Sequence, residues 1–268
     1  MGLLVGKTAI ITGGGTGIGL AIAKRLHKEE AKVVICGRRP EKLREASLAI
    51  STRGEGVYVV QADVTVEADR QKILKEAVEK TGRIDILVNN AGFMKFGKLE
   101  TVDPSVWDRL MNVNAYAPWR LMVAVLPEMR KVGGGSIVNI SSISGIKAFP
   151  TNGLYGVSKG ALQQLSQVLA MEVASENIRV NVICPAVVED TELNDAMFGK
   201  ENVPIRYDRM RPLHPLGRNG KPEDVADAVL FLVSDQSSWI TGILLNLDGG
   251  RHLASNRPPM EGPADLKR

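Results

Sequence analysis

Seven short runs of aliphatic and β-branched residues recur along this chain, and segments with helical spacing separate them. The runs cover 8–12, 32–36, 57–60, 84–89, 136–140, 179–183 and 244–247. They are apolar at nearly every position, so each strand needs cover on both faces, as in a parallel sheet. Between the runs, Ile18, Ala21, Ile22, Arg25 and Leu26 share one face of a helix. Asp103-Pro104 and Lys221-Pro222-Glu223-Asp224 place proline where a first helical turn tolerates it. Such regular alternation predicts an α/β fold: a doubly wound sheet of seven mostly parallel strands with helices on both faces.

At 268 residues, 44% of them hydrophobic, the chain suits one domain with a sizeable core, expected over residues 1–253. Two segments break the rhythm. Residues 189–218 are rich in charge and proline and run between the sixth strand and the next helix, which suits a lid over a site. Residues 254–268 form a polar, proline-rich tail, expected to be mobile unless a partner subunit holds it. The net charge of +4 is spread along the chain, and the dense basic run at 206–211 reads as a solvated loop. No nucleic-acid partner is therefore expected. There is no long apolar stretch and no basic-then-apolar leader, so the expectation is a cytoplasmic protein with no membrane partner. Cys36 and Cys184 lie in apolar runs without metal-ligand spacing and read as reduced core thiols.

The turn after the first run reads Thr12-Gly-Gly-Gly-Thr-Gly-Ile-Gly19. Glycines there permit a tight turn and let backbone N–H groups approach a pyrophosphate at the positive end of the next helix. Gly13, Gly15, Thr16, Gly17, Ile18 and Gly19 are thus candidate cofactor contacts of a Rossmann-type site. The spacing departs from G-x-G-x-x-G, and the place between strand and helix carries the reading. The second run ends at Cys36-Gly37-Arg38-Arg39. A carboxylate here would accept from a ribose 2′-OH and repel a 2′-phosphate; two guanidinium groups do the reverse. Arg38 is the main candidate for a 2′-phosphate, with Arg39 its neighbour, and the cofactor expected is NADP(H). Asp63, followed by Val64 after the third run, either takes the adenine amino group or caps the next turn.

Asn89-Asn-Ala-Gly92 follows the fourth run, Ser141-Ser142 the fifth, and Tyr155-Gly-Val-Ser-Lys159 lies in a helical segment. With Pro222-Glu-Asp-Val-Ala226, Ile240-Thr-Gly242 and Asp248-Gly-Gly250, these pieces, in this order, resemble the short-chain dehydrogenase/reductase family from Lys7 to about Gly250. The resemblance implies a catalytic tetrad of Asn114, Ser142, Tyr155 and Lys159. It also implies cofactor contacts by Asn89, Ala91, Gly92, Tyr155, Lys159, Pro185, Val188 and Thr191. The expected reaction is hydride transfer between the nicotinamide and a small-molecule ketone or secondary alcohol. Relatives commonly form tetramers through the helices bearing Asn114 and Tyr155 and through the last strand, so a homotetramer is expected.

Chemistry supports these roles. Hydride addition to a carbonyl carbon builds charge on oxygen, and an acid must deliver a proton there. Tyr155 is that acid, and Lys159, one turn on along the same face, should lower its pKa together with the nicotinium charge. Phe93, Met94, Phe149, Met197 and Phe198 are candidate pocket residues that would suit an apolar ketone. Where the family has Pro-Gly after the sixth strand, this chain has Pro185-Ala186, with Thr191 one place late. An alanine resists positive φ, which puts the Thr191 contact in question. Pro118 denies the Asn114 carbonyl its helical N–H, so a kink is expected there, with that carbonyl free for a water leading from Lys159. Two other readings share some of these residues. Gly156-Val-Ser-Lys-Gly160 fits a hydrolase nucleophile elbow if a strand precedes it and His214 or His252 serves it. A non-catalytic NADPH sensor or scaffold would need only the cofactor site.

Overall fold

The structure, a computed structural model, describes residues 1–192, 199 and 201–254. The seven apolar runs form β1 (Thr8–Thr12), β2 (Lys32–Gly37), β3 (Val57–Gln61), β4 (Ile86–Asn89), β5 (Gly135–Ile140), β6 (Ile178–Pro185) and β7 (Leu244–Leu247). They make one parallel sheet in the order β3-β2-β1-β4-β5-β6-β7. The fourth strand starts two residues later than the apolar run suggests. Ile84 is buried without joining the ladder, because the Asp85 carboxylate takes the Thr8 N–H (2.9 Å) and pairs with Arg83 (2.6 Å).

Each face of the sheet carries its own apolar layer. On one side, α1 (Gly17–Lys28), α2 (Pro40–Ile50) and α8 (Pro222–Val233) cover Ile11, Val33, Ile35, Val88 and Ile183. On the other, α3 (Glu67–Thr81), α5 (Ala117–Lys131) and α6 (Gly153–Val173) cover Ile10, Val34, Leu87, Ile137 and Val180. Strands apolar on both sides need this two-sided cover, and the doubly wound Rossmann-like fold follows. The strand order reverses between β1 and β4. Their following segments leave toward opposite faces there, which opens a cleft at the strands' C-terminal ends.

At Pro118, where a kink is expected, the helix changes its hydrogen-bond pattern. Between α4 (Ser105–Met111) and α5 the chain makes a π-helical turn, Asn112–Tyr116, in which the Ala117 N–H reaches back five residues to the Asn112 carbonyl. A wider turn just ahead of the proline accommodates its missing donor.

The excursion after β6 leaves and rejoins the sheet at one place. Val188 pairs with Gly220 in an isolated parallel bridge, and the Glu189 N–H donates to the Gly220 carbonyl at 2.8 Å. Within it, α7 (Val203–Met210) buries Val203 and Tyr207. The basic run is therefore in part helical, not a solvated loop, because those two side chains give it an apolar side. Met197 and Phe198 lie outside the described residues, as do positions 255–268 of the expected tail. The Ala254 carbonyl accepts from the Lys147 ammonium at 2.8 Å. No helix among the described residues is long and apolar enough to cross a membrane. Cys36 and Cys184 are buried free thiols.

Candidate active site

The cleft at the reversal point has a volume of about 1970 Å³. That exceeds the few hundred to 1,000 Å³ typical of a drug-sized ligand and leaves room for a dinucleotide beside a substrate.

Its floor at one end is the glycine-rich turn. Gly13 and Gly17 adopt φ of +65° and +51°, where a side chain would be strained. A methyl at Gly19 would collide with the Gly13 carbonyl oxygen, so this glycine lets α1 pack onto the turn and does not line the cleft. No side chain caps α1 and no acid sits in its first turn, so its N–H groups point at the cleft uncompensated. These features fit a pyrophosphate. Asn90 holds the turn, donating to the Thr12 (3.0 Å) and Gly13 (3.3 Å) carbonyls, while Thr12 Oγ1 accepts from the Asn90 and Ala91 N–H groups. Asn89, expected among the cofactor contacts, is buried and donates to Asn139 Oδ1 at 2.8 Å instead. Successive residues along a strand face opposite ways, so a shift of one place turns a side chain from the cleft to the core.

Gly13, Gly15, Thr16, Gly17, Ile18, Arg38, Arg39, Asp63, Val64, Ala91, Gly92, Pro185, Val188 and Thr191 all line the cleft. Arg39 is paired with Glu192, which also accepts from Thr16 Oγ1 at 3.1 Å. Arg38 stands exposed on the rim near Asp63. Asp63 Oδ1 accepts from the Thr65 N–H (2.9 Å) and hydroxyl (2.7 Å), which is the turn-capping role. Burial pushes its carboxyl up, but those bonds and the Arg38 charge outweigh it and hold it below the usual range. Ala186 is absent from the positive-φ residues, so the alanine imposes no strain; the left-handed residue there is Asp190, at φ +54°.

The reactive end brings Ser142, Tyr155 and Lys159 together. Ser142 leaves β5 and its hydroxyl accepts from the Ser144 N–H at 3.1 Å. It also bonds the Tyr155 hydroxyl, which opposes burial without overcoming it: the Tyr155 pKa is pushed up to about 12. Lys159 is buried, donates to the Ile140 carbonyl at 2.8 Å, and lies 5.8 Å from the Tyr155 ring centre. Burial lowers its pKa to about 8. Desolvation of the phenol is the largest influence on Tyr155 here, and the expected lowering belongs to the state with the nicotinium charge beside it.

Asn114 is fully buried and does not line the cleft. Its side chain clamps the β4 exit, accepting from the Phe93 N–H (2.8 Å) and donating to the Phe93 carbonyl (2.7 Å). It also donates to Ser158 Oγ at 3.0 Å. Ser158 in turn donates to the Tyr155 carbonyl at 2.7 Å, in the middle of α6. No strand precedes it, and its hydroxyl is engaged within the core, so the elbow geometry of a hydrolase is not present.

Phe93, Met94 and Phe149 line the substrate end with Phe96. The expectation of an apolar pocket missed what faces them: a guanidinium lies over each phenyl ring, Arg109 on Phe93, Arg206 on Phe96 and Arg251 on Phe149. The spacing of these pairs in sequence gives no signal; only the fold joins them. Among the described residues, no three metal-binding side chains cluster.

The family model described as enoyl-(acyl carrier protein) reductase matches residues 13–252. Dehydrogenase/reductase SDR family member 4 from Oryctolagus cuniculus is 40% identical over 92% of this chain and 94% of its own length. This chain belongs to the short-chain dehydrogenase/reductase family. The 2-(S)-hydroxypropyl-CoM dehydrogenase 3 of Xanthobacter autotrophicus is 36% identical over 92% of this chain and 97% of that protein. A solved structure of 3-ketoacyl-(acyl-carrier-protein) reductase from Brucella melitensis, complexed with NADH, superposes with a TM-score of 0.85. It is 35% identical and covers 93% of this chain and 99% of that one. The protein is accordingly an oxidoreductase of a family that binds nicotinamide cofactors.

Proposed function

We propose that this short-chain dehydrogenase/reductase uses NADP(H) to interconvert a ketone and a secondary alcohol. The observation that carries the reading is Tyr155, bonded to Ser142 and backed by Lys159, facing a cleft whose other end is the glycine-rich turn. The nicotinamide, when bound, supplies or takes up the hydride. Ser142 hydrogen-bonds the substrate oxygen, and Tyr155 gives that oxygen a proton as its charge develops. Lys159 holds the ribose hydroxyls and steadies the phenolate. Asn114 is a positioning residue: it fixes the β4 exit against α6. Its carbonyl, which Pro118 cannot serve, is the acceptor assigned to a water leading from Lys159 to solvent. Incubation with NADPH and a panel of ketones, followed at the nicotinamide absorbance, tests the reaction; cofactor binding without oxidation of NADPH by any of them would favour the sensor reading.

Preference for NADP(H) rests on Gly37 and Arg38, since the solved relative with NADH leaves the choice open. Arg39 is committed to Glu192, so Arg38 is the group with its charge available at the rim. Arg38→Ala should weaken NADPH binding by about one to two decades and leave NADH nearly unchanged. A titration showing equal losses for both cofactors would remove the assignment.

Assembly as a homotetramer is supported by apolar side chains left outside. Tyr116, Trp119 and Val123 are exposed around the start of α5, Val168 and Met171 on α6, and Phe231 and Trp239 near the last strand. Exposed apolar side chains on these elements support contacts with other copies of the chain. Light scattering at micromolar concentration should give four times the chain mass; a monomer there would contradict the assembly.

A further inference from the structure

We infer that Gln163 is a positioning residue for proton transfer: it clamps the backbone of Ser142 to the helix that bears Tyr155, and so sets how the two hydroxyls meet. The inference rests on the ketone and alcohol reading above. Tyr155, Lys159 and Gln163 recur every fourth residue along α6 and share one face of it. Gln163 is buried and does not line the cleft. Its Nε2 donates to the Ser142 carbonyl at 3.0 Å and to Ser141 Oγ at 3.1 Å, and lies 3.4 Å from Cys184 Sγ on β6. The Ser142 carbonyl can only accept, which fixes the amide nitrogen toward it. Ser141 Oγ in turn donates to the Lys159 carbonyl at 3.1 Å. One side chain of α6 thus joins the end of β5, β6 and its own helix at the point where Ser142 leaves the sheet.

The turn that follows Ser142, Ile143–Gly145, lies directly on α6. A methyl at Gly156 would come within 2.5 Å of the Ser144 carbonyl oxygen, and one at Gly145 within 2.6 Å of Gln163 Nε2. Asn152, at the head of α6, holds the far side of this turn through Ser144 Oγ at 2.9 Å, so the turn is fastened at both ends.

Hydrogen-bond satisfaction does not explain the amide. The Ser142 carbonyl also accepts from the Gly145 N–H at 3.1 Å, and the Ser141 hydroxyl keeps its bond to Lys159. A buried amide costs desolvation and rotamer entropy that an aliphatic side chain there would largely spare. What the amide adds is direction. The Ser142 hydroxyl accepts from the Ser144 N–H and bonds Tyr155, and it keeps that geometry only while the turn is held in place. Displacing a reacting group by about 1 Å costs on the order of a hundredfold in rate.

The test uses Gln163→Met, which matches the length and lacks the donor, and Gln163→Asn, which keeps the donor one methylene short. The second variant carries the same comparison should methionine fail to fold. Each is made with and without Ser142→Ala, in protein labelled with 3-fluorotyrosine, which ionises at lower pH than tyrosine. Fluorine NMR of the cofactor-free protein follows the ionisation of Tyr155, assigned among the four tyrosines through Tyr155→Phe. Gln163→Met should raise the midpoint of that titration by at least about half a pH unit, since the phenolate loses part of its bond to Ser142. Gln163→Asn should raise it less, and neither should raise it further once Ser142 is alanine. In turnover, Gln163→Met should lower kcat about tenfold for the ketone reduced fastest in the panel above. It should leave the KM for NADPH unchanged and again add nothing to Ser142→Ala. A midpoint that Gln163→Met does not move, or an equal rise with and without the Ser142 hydroxyl, would overturn the inference. The expected fluorine titrations with no ketone turned over would uphold the clamp and remove the oxidoreductase reading. Ketone reduction at full rate in Gln163→Met, with the midpoint unmoved, would do the opposite.

Discussion

Tyr155→Phe should lower turnover by about a thousandfold or more while the protein folds and binds cofactor normally. The change deletes one hydroxyl and almost no packing from a side chain that is 8% exposed. It removes the only described phenol in contact with Ser142, and with it the proton donor. Wild-type behaviour should respond to pH differently in the two directions. Burial pushes Tyr155 up to about 12, so the phenol stays protonated across the neutral range and ketone reduction has its acid ready. Alcohol oxidation needs the phenolate, so its rate should climb as pH rises from 7 toward 10. Stopped-flow measurement of both directions would show this. A Tyr155→Phe protein that reduces ketones at a near-normal rate would falsify the mechanism.

Lys159→Met should abolish turnover as well, yet raise the stability of the cofactor-free protein at neutral pH. Lys159 has a pKa near 8 when folded, against 10.5 as its ordinary value. Between those values the unfolded chain binds more protons, so the wild type gains stability as pH rises through that window. Below it, the buried ammonium is a standing cost, which methionine removes. The variant forfeits the bond to the Ile140 carbonyl, a loss of about 1 kcal/mol, against a gain of roughly 1–3 kcal/mol. Its melting temperature should exceed that of the wild type at pH 7, and the gap should close toward pH 10. A variant less stable at pH 7, or a gap that widens with pH, would show that Lys159 is not held against a desolvation penalty.

The alternation of apolar runs was enough to read the sheet, because burial on both faces leaves an unbroken apolar signature. The ends of strands were less legible: Ile84 is as apolar as Ile86, and only the Asp85 carboxylate on the Thr8 N–H shows where pairing begins. Tyr155, Lys159 and Ser142 could be placed because the strand and helix that carry them fix which way they point. Asn89 could not, since a shift of one residue along a strand turns a cleft contact into a core one. The arginines over Phe93, Phe96 and Phe149 were invisible for another reason. Each pair joins residues from separate elements, and no local pattern encodes it. The rise of Tyr155 to about 12 was equally hidden, because desolvation is a property of the packed site and not of the motif.

The bridge between Val188 and Gly220 brings the two ends of the excursion after β6 together. Its two ends meet at the rim, and the sheet closes behind them through β6 and β7 as if the segment were not there. Insertions, deletions or an entire exchange between Glu189 and Asn219 can then alter which molecules are admitted without moving Ser142 or Tyr155, which stand on the frame outside it. Under the proposed function, whatever recognition this segment contributes is replaceable apart from proton transfer. A chimera carrying another family member's segment at this junction should keep the host's chemistry and adopt the donor's choice of substrate.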